Sequence, residues 1–141
     1  MINILRYREI LAELRARINQ RSEMKIDGVI LAVSDKHLTK KLRDQAGFFL
    51  CANFPDAESK GNADNYKEDN RLLLFLLEKV PAGDETDEAE ITHYARMQNV
   101  MRILKDEIRD MDFVCGEISG GEDINTEWEY DVFGGFNGLS I

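Results

Sequence analysis

The sequence is poor in the residues that build disulfide frameworks and metal sites. It has two cysteines, Cys51 and Cys115, and both lie inside apolar segments, which favours reduced, buried thiols over a disulfide. It also has two histidines, His37 and His93, and neither has a Cys, Asp or Glu partner at a recognised zinc spacing. We therefore expect no disulfide, no bound metal and no cofactor.

Long apolar runs and catalytic motifs are also missing. No run approaches the roughly 20 apolar residues that cross a bilayer, and residues 1–6 do not resemble a secretion signal. There is no Gly-x-Ser-x-Gly sequence, neither cysteine has an adjacent base, and the glycine-rich residues 134–138 lack the lysine of a phosphate-binding loop. The sequence thus predicts a cytoplasmic protein that is not an enzyme and has no catalytic residues.

The net charge of -9 conceals two parts of opposite sign. Residues 1–43 hold ten Lys and Arg against five Asp and Glu, whereas residues 44–141 hold eight against twenty-two, so the two parts carry +5 and -14. Such blocks are typical of head-to-tail self-association, although a merely solvated surface has the same composition. The basic part has one aromatic residue, Tyr7, so it lacks the stacking platform of a single-strand binder, and nucleic acid is not expected as a partner.

Helical periodicity marks three segments. Apolar residues step by three and four from Ile4 onward, which predicts a helix over residues 3–21 with one face on the core. A short basic helix is predicted over residues 34–45, with a serine as its N-cap. The longest helix is predicted to begin near Asp84, after a turn, and its apolar stripe extends to Met111.

Five short segments have the composition of strands, and two of them are informative. The run at residues 72–77 is apolar without alternation, which predicts a central strand buried on both faces. Residues 126–132 alternate between apolar and acidic side chains, which predicts one buried face and one that meets water or a basic partner. Turns are predicted at residues 120–121 and 134–138. The predicted strands are residues 29–33, 48–54, 72–77, 113–115 and 126–132.

These elements predict one α+β domain over residues 1–141. Its sheet is expected to be single, mixed and mainly antiparallel, with a long N-terminal helix and a long helix after the central strand packed on it. Residues 55–70 are polar, so we expect a loop or an arm there that is either mobile or binds a partner. The segment begins like a calcium loop, but Lys60 and Lys67 stand at ligand positions, which excludes an EF-hand. A weaker cation site formed by Asp56, Glu58, Asp64 and Asp69 is left as an alternative.

Four strings in the later part of the chain carry a family resemblance. They are Asp-Asn-Tyr at 64–66 ahead of Asp-Asn at 69–70, the strand at 72–78, His-Tyr-Ala-Arg-Met-Gln at 93–98, and Phe-Gly-Gly-Phe-Asn-Gly at 133–138. From about residue 49 onward the chain resembles small phage and prophage tail proteins of the tail-terminator or tail-completion type. The resemblance implies a small α+β domain and a non-enzymatic part of a ring at the end of a tail tube. It also implies other tail proteins as partners and no catalytic residues.

Two functions fit these observations. One is a structural protein that self-assembles as a homo-oligomer, in the cytoplasm or within a virion-like particle. The other is a protein-binding module that holds its partner with residues 55–70 or with the acidic face of residues 126–132. For assembly, basic residues of the first two helices are expected to meet the acidic strand of the next copy, head to tail. The predicted interface residues are Arg8, Arg15, Arg17, Lys40, Lys41, Glu127, Glu129 and Asp131.

Overall fold

A computed structural model describes residues 1–80, 86–110 and 124–141, which form three helices and seven strands. The helices are α1 (Ile4–Arg21), α2 (Asp35–Leu42) and α3 (Asp87–Arg109). The strands are β1 (Gly28–Ala32), β2 (Phe48–Asn53), β3 (Asp56–Lys60), β4 (Lys67–Arg71), β5 (Leu74–Lys79), β6 (Glu127–Val132) and β7 (Phe136–Ser140). The chain is therefore an α+β protein, as predicted.

Five of the strands form one mixed sheet in the order β1-β2-β5-β7-β6. β1 and β2 are parallel and are connected through α2, whereas the other three neighbouring pairs are antiparallel. The central strand is β5, which contains most of the unbroken apolar run, so the prediction from composition is confirmed. Its neighbouring side chains Leu74 and Phe75 belong to the cores on opposite faces of the sheet, and both are buried. Both faces of the sheet are therefore covered.

Helices α1 and α3 pack together on one face of the sheet. Asn3 is the N-cap of α1, and its side-chain oxygen accepts hydrogen bonds from the main-chain N–H groups of Leu5 and Arg6. The predicted apolar stripe of α1 is buried except for Ile4, which instead lines an open groove beside β1. The buried apolar residues of the two helices are Tyr7, Ile10, Leu11, Leu14, Ile18, Met97, Val100, Met101, Ile103, Leu104 and Ile108.

Helix α3 begins at Asp87, with Thr86 as its N-cap. The Thr86 hydroxyl accepts a hydrogen bond from the N–H of Ala89 at 3.3 Å. The predicted start near Asp84 and the last predicted stripe residue, Met111, lie outside the described residues. The strand predicted at 113–115 and the turn predicted at 120–121 lie outside them as well.

Helix α2 covers the other face of the sheet, over β1 and β2. Its predicted N-cap is confirmed, because the Ser34 hydroxyl accepts a hydrogen bond from the N–H of His37. The helix ends at Leu42, earlier than the predicted residue 45. Its two buried leucines join side chains of four strands in a second core. This core contains Ala32, Leu38, Leu42, Phe49, Cys51, Phe75, Leu77 and Phe136.

Residues 55–70, predicted as a loop or an arm, contain the β3–β4 hairpin, which forms a separate two-stranded sheet. All five residues of β3 are exposed, so its sequence has no alternation of apolar and polar residues from which the strand could be predicted. The hairpin is held by polar contacts instead, and Lys60 Nζ lies 3.2 Å from carboxylate oxygens of both Glu58 and Asp69. At its base, Asn70 Oδ1 accepts a hydrogen bond from the N–H of Ile2 at 3.3 Å. The hairpin is therefore an ordered arm outside the core.

The last two strands are joined by a turn at residues 133–135. Gly134 and Gly135 have φ angles of 84° and 99°, which an L side chain rarely adopts. The turn predicted over residues 134–138 is therefore shorter than expected, and its second half belongs to β7. On the other side of the turn, the β6–β7 register is irregular between Glu129 and Val132.

Candidate assembly interface

Within the part of the chain that the structure describes, the five-stranded sheet ends in β1 on one side and β6 on the other. Each of these strands therefore has one edge whose main-chain groups have no partner in the sheet. Helices α1 and α2, which contain the basic residues, flank β1 on its two faces. The three acidic residues of the predicted interface, Glu127, Glu129 and Asp131, lie on β6. The residues predicted to attract one another thus lie at opposite edges of one sheet, where they cannot meet within a single subunit.

Two of the predicted interface arginines are bound inside the subunit. Arg15 Nε and Nη2 donate to the main-chain carbonyls of Ile26 and Asp27, both at 2.9 Å, so this side chain holds the segment that enters β1. Arg17 Nη1 lies 3.8 Å from a carboxylate oxygen of Glu107 on α3. Both arginines therefore make contacts that stabilise the fold. Their positions in the sequence of α1 did not predict these contacts.

The other three basic residues lie at the surface of the two helices that flank β1. Arg8 on α1 and Lys40 on α2 are exposed. The Lys41 ammonium group donates a hydrogen bond to the main-chain carbonyl of Leu31. The next carbonyl, that of Ala32, accepts a hydrogen bond at 2.8 Å from the N–H of Phe54, the residue after β2. Successive carbonyls of a strand point to opposite sides, so the Leu31 carbonyl points to the free edge of β1. Lys41 therefore covers one acceptor of this edge, a common protection of edge strands.

A groove of about 730 Å³ runs along the free edge of β1, between α1 and α2. One of its apolar residues, Leu5, is 67% exposed. β1 itself has the sequence Gly-Val-Ile-Leu-Ala, without the charged residues or proline that protect an edge strand from pairing. The groove is thus an apolar surface with a basic rim. Its lining includes Ile4, Leu5, Ala12, Val29, Leu31 and Phe54, with Arg8, Arg15 and Lys41 at the rim.

The three predicted acidic residues of β6 do not form one continuous stripe. Glu127 and Glu129 lie on the same face of the strand, and the Glu129 carboxylate accepts a hydrogen bond from the Ser140 hydroxyl at 2.5 Å. Asp131 has a φ of 49° within the irregular part of the register, so it leaves this alternation. Glu127 and Asp131 are exposed. β6 is therefore acidic, but its three acidic side chains do not all lie on one face of the strand.

The apolar face of β6, which the alternation predicted to be buried, is largely exposed. Trp128 and Tyr130 are 58% and 69% exposed, because β6 is the edge strand and α3 lies mainly over β7. Trp128 packs against Tyr94 of α3, with ring centroids 5.5 Å apart. The Tyr94 hydroxyl donates to the main-chain carbonyl of Glu129 at 2.7 Å. β6 therefore presents aromatic side chains as well as acids, and only its place in the sheet reveals them.

The two histidines considered for metal binding lie in different parts of the fold. His93 Nε2 pairs with the carboxylate of Glu78 in a pocket near the start of α3, and His37 Nδ1 accepts a main-chain N–H beside β1. No three His, Cys, Asp or Glu side chains come together as metal ligands among residues 1–80, 86–110 and 124–141. Burial raises the pKa of the Cys51 thiol to about 12, so it carries almost no thiolate at neutral pH. Cys115 lies outside the described residues.

The two loop motifs of the sequence both lie in antiparallel hairpins. In the 55–70 segment, Glu58 and Asp69 already share the ammonium group of Lys60, which satisfies two of the acids proposed for a weak cation site. The glycine-rich residues 134–138 connect and enter antiparallel strands, whereas a phosphate-binding loop leads from a strand into a helix. Neither arrangement supports a ligand site.

Comparison of the chain with known protein families, with curated proteins and with solved structures finds no match. None of the helices in the described ranges is both long and apolar enough to cross a membrane. The two edges of the five-stranded sheet are therefore the features of the described residues that bear most directly on function.

Proposed function

We propose that this chain is a non-enzymatic structural protein that assembles into a homo-oligomer. One observation carries the proposal: the described sheet ends in two edge strands of opposite character, an apolar β1 with a basic rim and an acidic, aromatic β6. Exposed edges of this kind pair with other chains unless they are protected. A contact between two different surfaces repeats head to tail, and it ends either in a closed ring or in a filament.

A ring is the form of assembly that we favour. The five-stranded sheet of each subunit has one edge of each kind, so a closed ring pairs both of these edges, as a β-barrel does within one chain. The resemblance to small phage tail proteins supports a ring at the end of a tail tube, with other tail proteins as further partners. The expected location is then the cytoplasm or an assembled virion-like particle.

The β3–β4 hairpin favours a second function, that of a protein-binding module. It is an ordered polar arm outside the core, and near its tip the exposed Tyr66 shares a hydrogen bond of 2.9 Å with Ser59. A binding module of this kind holds a partner protein without self-association. The stoichiometry of the purified chain therefore separates the two functions.

The test is the molar mass of the purified chain by size-exclusion chromatography with light scattering, over a range of protein concentrations. Assembly predicts a discrete oligomer at high concentration that dissociates as salt rises, because exposed ion pairs are screened over about 8 Å at physiological salt. Combined Arg8→Glu and Lys40→Glu should weaken it, since both residues are exposed on the helices that flank β1. Combined Arg96→Glu and Arg102→Glu on α3 changes the net charge equally and should not.

The measured molar mass distinguishes self-assembly from a protein-binding module. A monomer at every concentration and in low and high salt would reject self-assembly and leave the binding module. An oligomer that is indifferent to salt and to both pairs of substitutions would retain self-assembly but reject opposite charge as part of its interface.

A further inference from the structure

The two edges of the sheet are complementary in direction. β1 and β2 run antiparallel to β5, and so does β7, whereas β6 runs antiparallel to β7. β1 and β6 therefore point in opposite directions within one subunit. Rotation about an axis along the strands preserves both directions, so β6 of one copy meets β1 of the next copy as an antiparallel pair. β6 is regular over Glu127–Glu129 and irregular between Glu129 and Val132, so its regular first part is the segment that can pair with the five residues of β1.

The aromatic side of β6 matches the groove. Trp128 pairs in register with Leu139, whose side chain belongs to the core beneath α1 and α3, so Trp128 lies on that face of the sheet. On the next copy the same face of β1 is flanked by α1 and by the part of the groove that contains the exposed Leu5. A sheet that continues from one copy to the next keeps its faces, and it therefore brings Trp128 to this groove. Trp128 is 58% exposed, so roughly half of the 150–250 Å² that a tryptophan buries is still open to water before docking.

The acidic side of β6 matches α2. Glu127 and Glu129 lie on the face opposite to Trp128, and on the next copy this face of β1 is flanked by α2 with Lys40 and Lys41. Within the single subunit, the Lys41 ammonium group donates a hydrogen bond to the Leu31 carbonyl at the free edge of β1. A main-chain N–H of an incoming strand can take over this carbonyl, which releases the Lys41 ammonium group to a carboxylate of that strand. The lysine then protects the edge in the monomer and attracts the correct partner in the assembly.

We propose that β6 of one copy adds to the free edge of β1 of a second copy as an antiparallel strand, with Trp128 seated in the groove beside Leu5. This inference rests on the proposed function, because it names the interface of the assembly. Its consequence is a single sheet that continues from subunit to subunit, with α1 and α3 on one side and α2 on the other.

The first test uses Trp128 as its own reporter, since it is the one tryptophan of the chain. When the parent protein is concentrated into the oligomer, we expect its emission to shift to shorter wavelength and acrylamide to quench it less. Leu5→Asp should abolish both the oligomer and the shift. Ile91→Asp on α3 is the matched control, because Ile91 and Leu5 are 69% and 67% exposed, and it should retain both.

The second test asks whether the contact joins two different edges. Leu5→Asp keeps its β6 but loses its groove, and Trp128→Asp keeps its groove but loses its aromatic residue. Each variant alone should be monomeric, and an equimolar mixture should form a dimer that cannot grow. Since only the Leu5→Asp chain contains tryptophan, its emission should shift when the Trp128→Asp chain is added. Circular dichroism checks that both are folded, and Ala12→Asp, also exposed on the groove, replaces Leu5→Asp if that variant is unfolded.

The outcomes separate this inference from the proposed function. A parent oligomer whose tryptophan emission and quenching stay unchanged would overturn this interface and leave self-assembly intact. A mixture that remains monomeric would also overturn it, and so would dimerisation of either variant alone, because that requires contact between like edges. A parent protein that is monomeric at every concentration would overturn both the interface and the proposed function.

Discussion

Gly138 on β7 passes so close to Leu76 on β5 that a Cβ atom at Gly138 would lie 1.8 Å from the Leu76 carbonyl oxygen. The same atom would lie 2.9 Å from the terminal methyl group of Met97 on α3. The methionine could move, but the carbonyl belongs to the central strand and could not. Glycine at this position therefore lets β5, β7 and α3 approach one another.

We expect Gly138→Ala to lower the free energy of unfolding by roughly 3 kcal/mol, because the new methyl group overlaps main chain rather than a flexible side chain. Gly134→Ala is the control. Nothing lies within 4 Å of its added Cβ, so it carries only the cost of a φ of 84°, about 1 kcal/mol. Urea unfolding of both variants measures the difference. Equal losses would show that the close approach is not what selects glycine at residue 138.

Leu74 and Phe75 test the position of β5. Both are buried, on opposite faces of the sheet, so Leu74→Asp and Phe75→Asp should each abolish cooperative unfolding. An unpaired buried charge costs several kcal/mol, against a total stability of about 5–15 kcal/mol for a domain. Leu73→Asp, one residue before Leu74 and 39% exposed, should keep a cooperative thermal transition. A normal transition in either buried variant would mean that β5 is not central.

The elements that could be predicted from sequence are those whose pattern reports burial directly. The unbroken run that became β5 has no polar side to expose, so it identified the centre of the sheet. The stripe of α1 identified a helix, although it could not show that Ile4 lies beside the open edge of β1. A residue pattern records which side chains are apolar, but not where the neighbouring elements end.

The rest of the candidate interface depends on topology. The alternation in β6 is the same whether the strand is central or at an edge, so the exposure of Trp128 and Tyr130 followed only from the strand order. The sequence pattern of α1 predicted that Arg15 faces outward. In the structure its side chain donates a hydrogen bond to the Ile26 carbonyl, a contact that depends on the fold. Leu5 gave no signal, because its exposure depends on the distance between α1 and the edge of β1.

Tyr7 predicts a pH effect. Its side chain is fully buried, its hydroxyl has no hydrogen-bond partner among the described residues, and burial raises its pKa above the ordinary value of 10.0. Tyr7→Phe removes this unsatisfied group, so we expect the free energy of unfolding at pH 7 to stay equal or to rise by about 1 kcal/mol.

The sign of the pH effect follows from the raised pKa. Above pH 10 the tyrosine of the unfolded chain ionises before that of the folded chain, so the parent loses stability as pH rises. Tyr7→Phe lacks this loss, and its advantage over the parent should be larger at pH 10.5 than at pH 7. Tyr66→Phe, at an exposed position in the arm, is the control and should show no such change. An advantage that is independent of pH would contradict the assignment to Tyr7.

The β3–β4 hairpin should be the first segment that a protease cuts. A two-stranded hairpin is at most marginally stable by itself, and this one is held by exposed polar contacts rather than by the core. Brief trypsin digestion should therefore cleave after Lys60 before it cleaves α1 or α3, with the fragments identified by mass spectrometry. Asp69→Asn removes one partner of Lys60 and should speed this cleavage, whereas Asp64→Asn in the connecting turn keeps that pair and should not. Cleavage that begins in the helices while the hairpin stays whole would show that the arm is docked on the domain and does not open by itself.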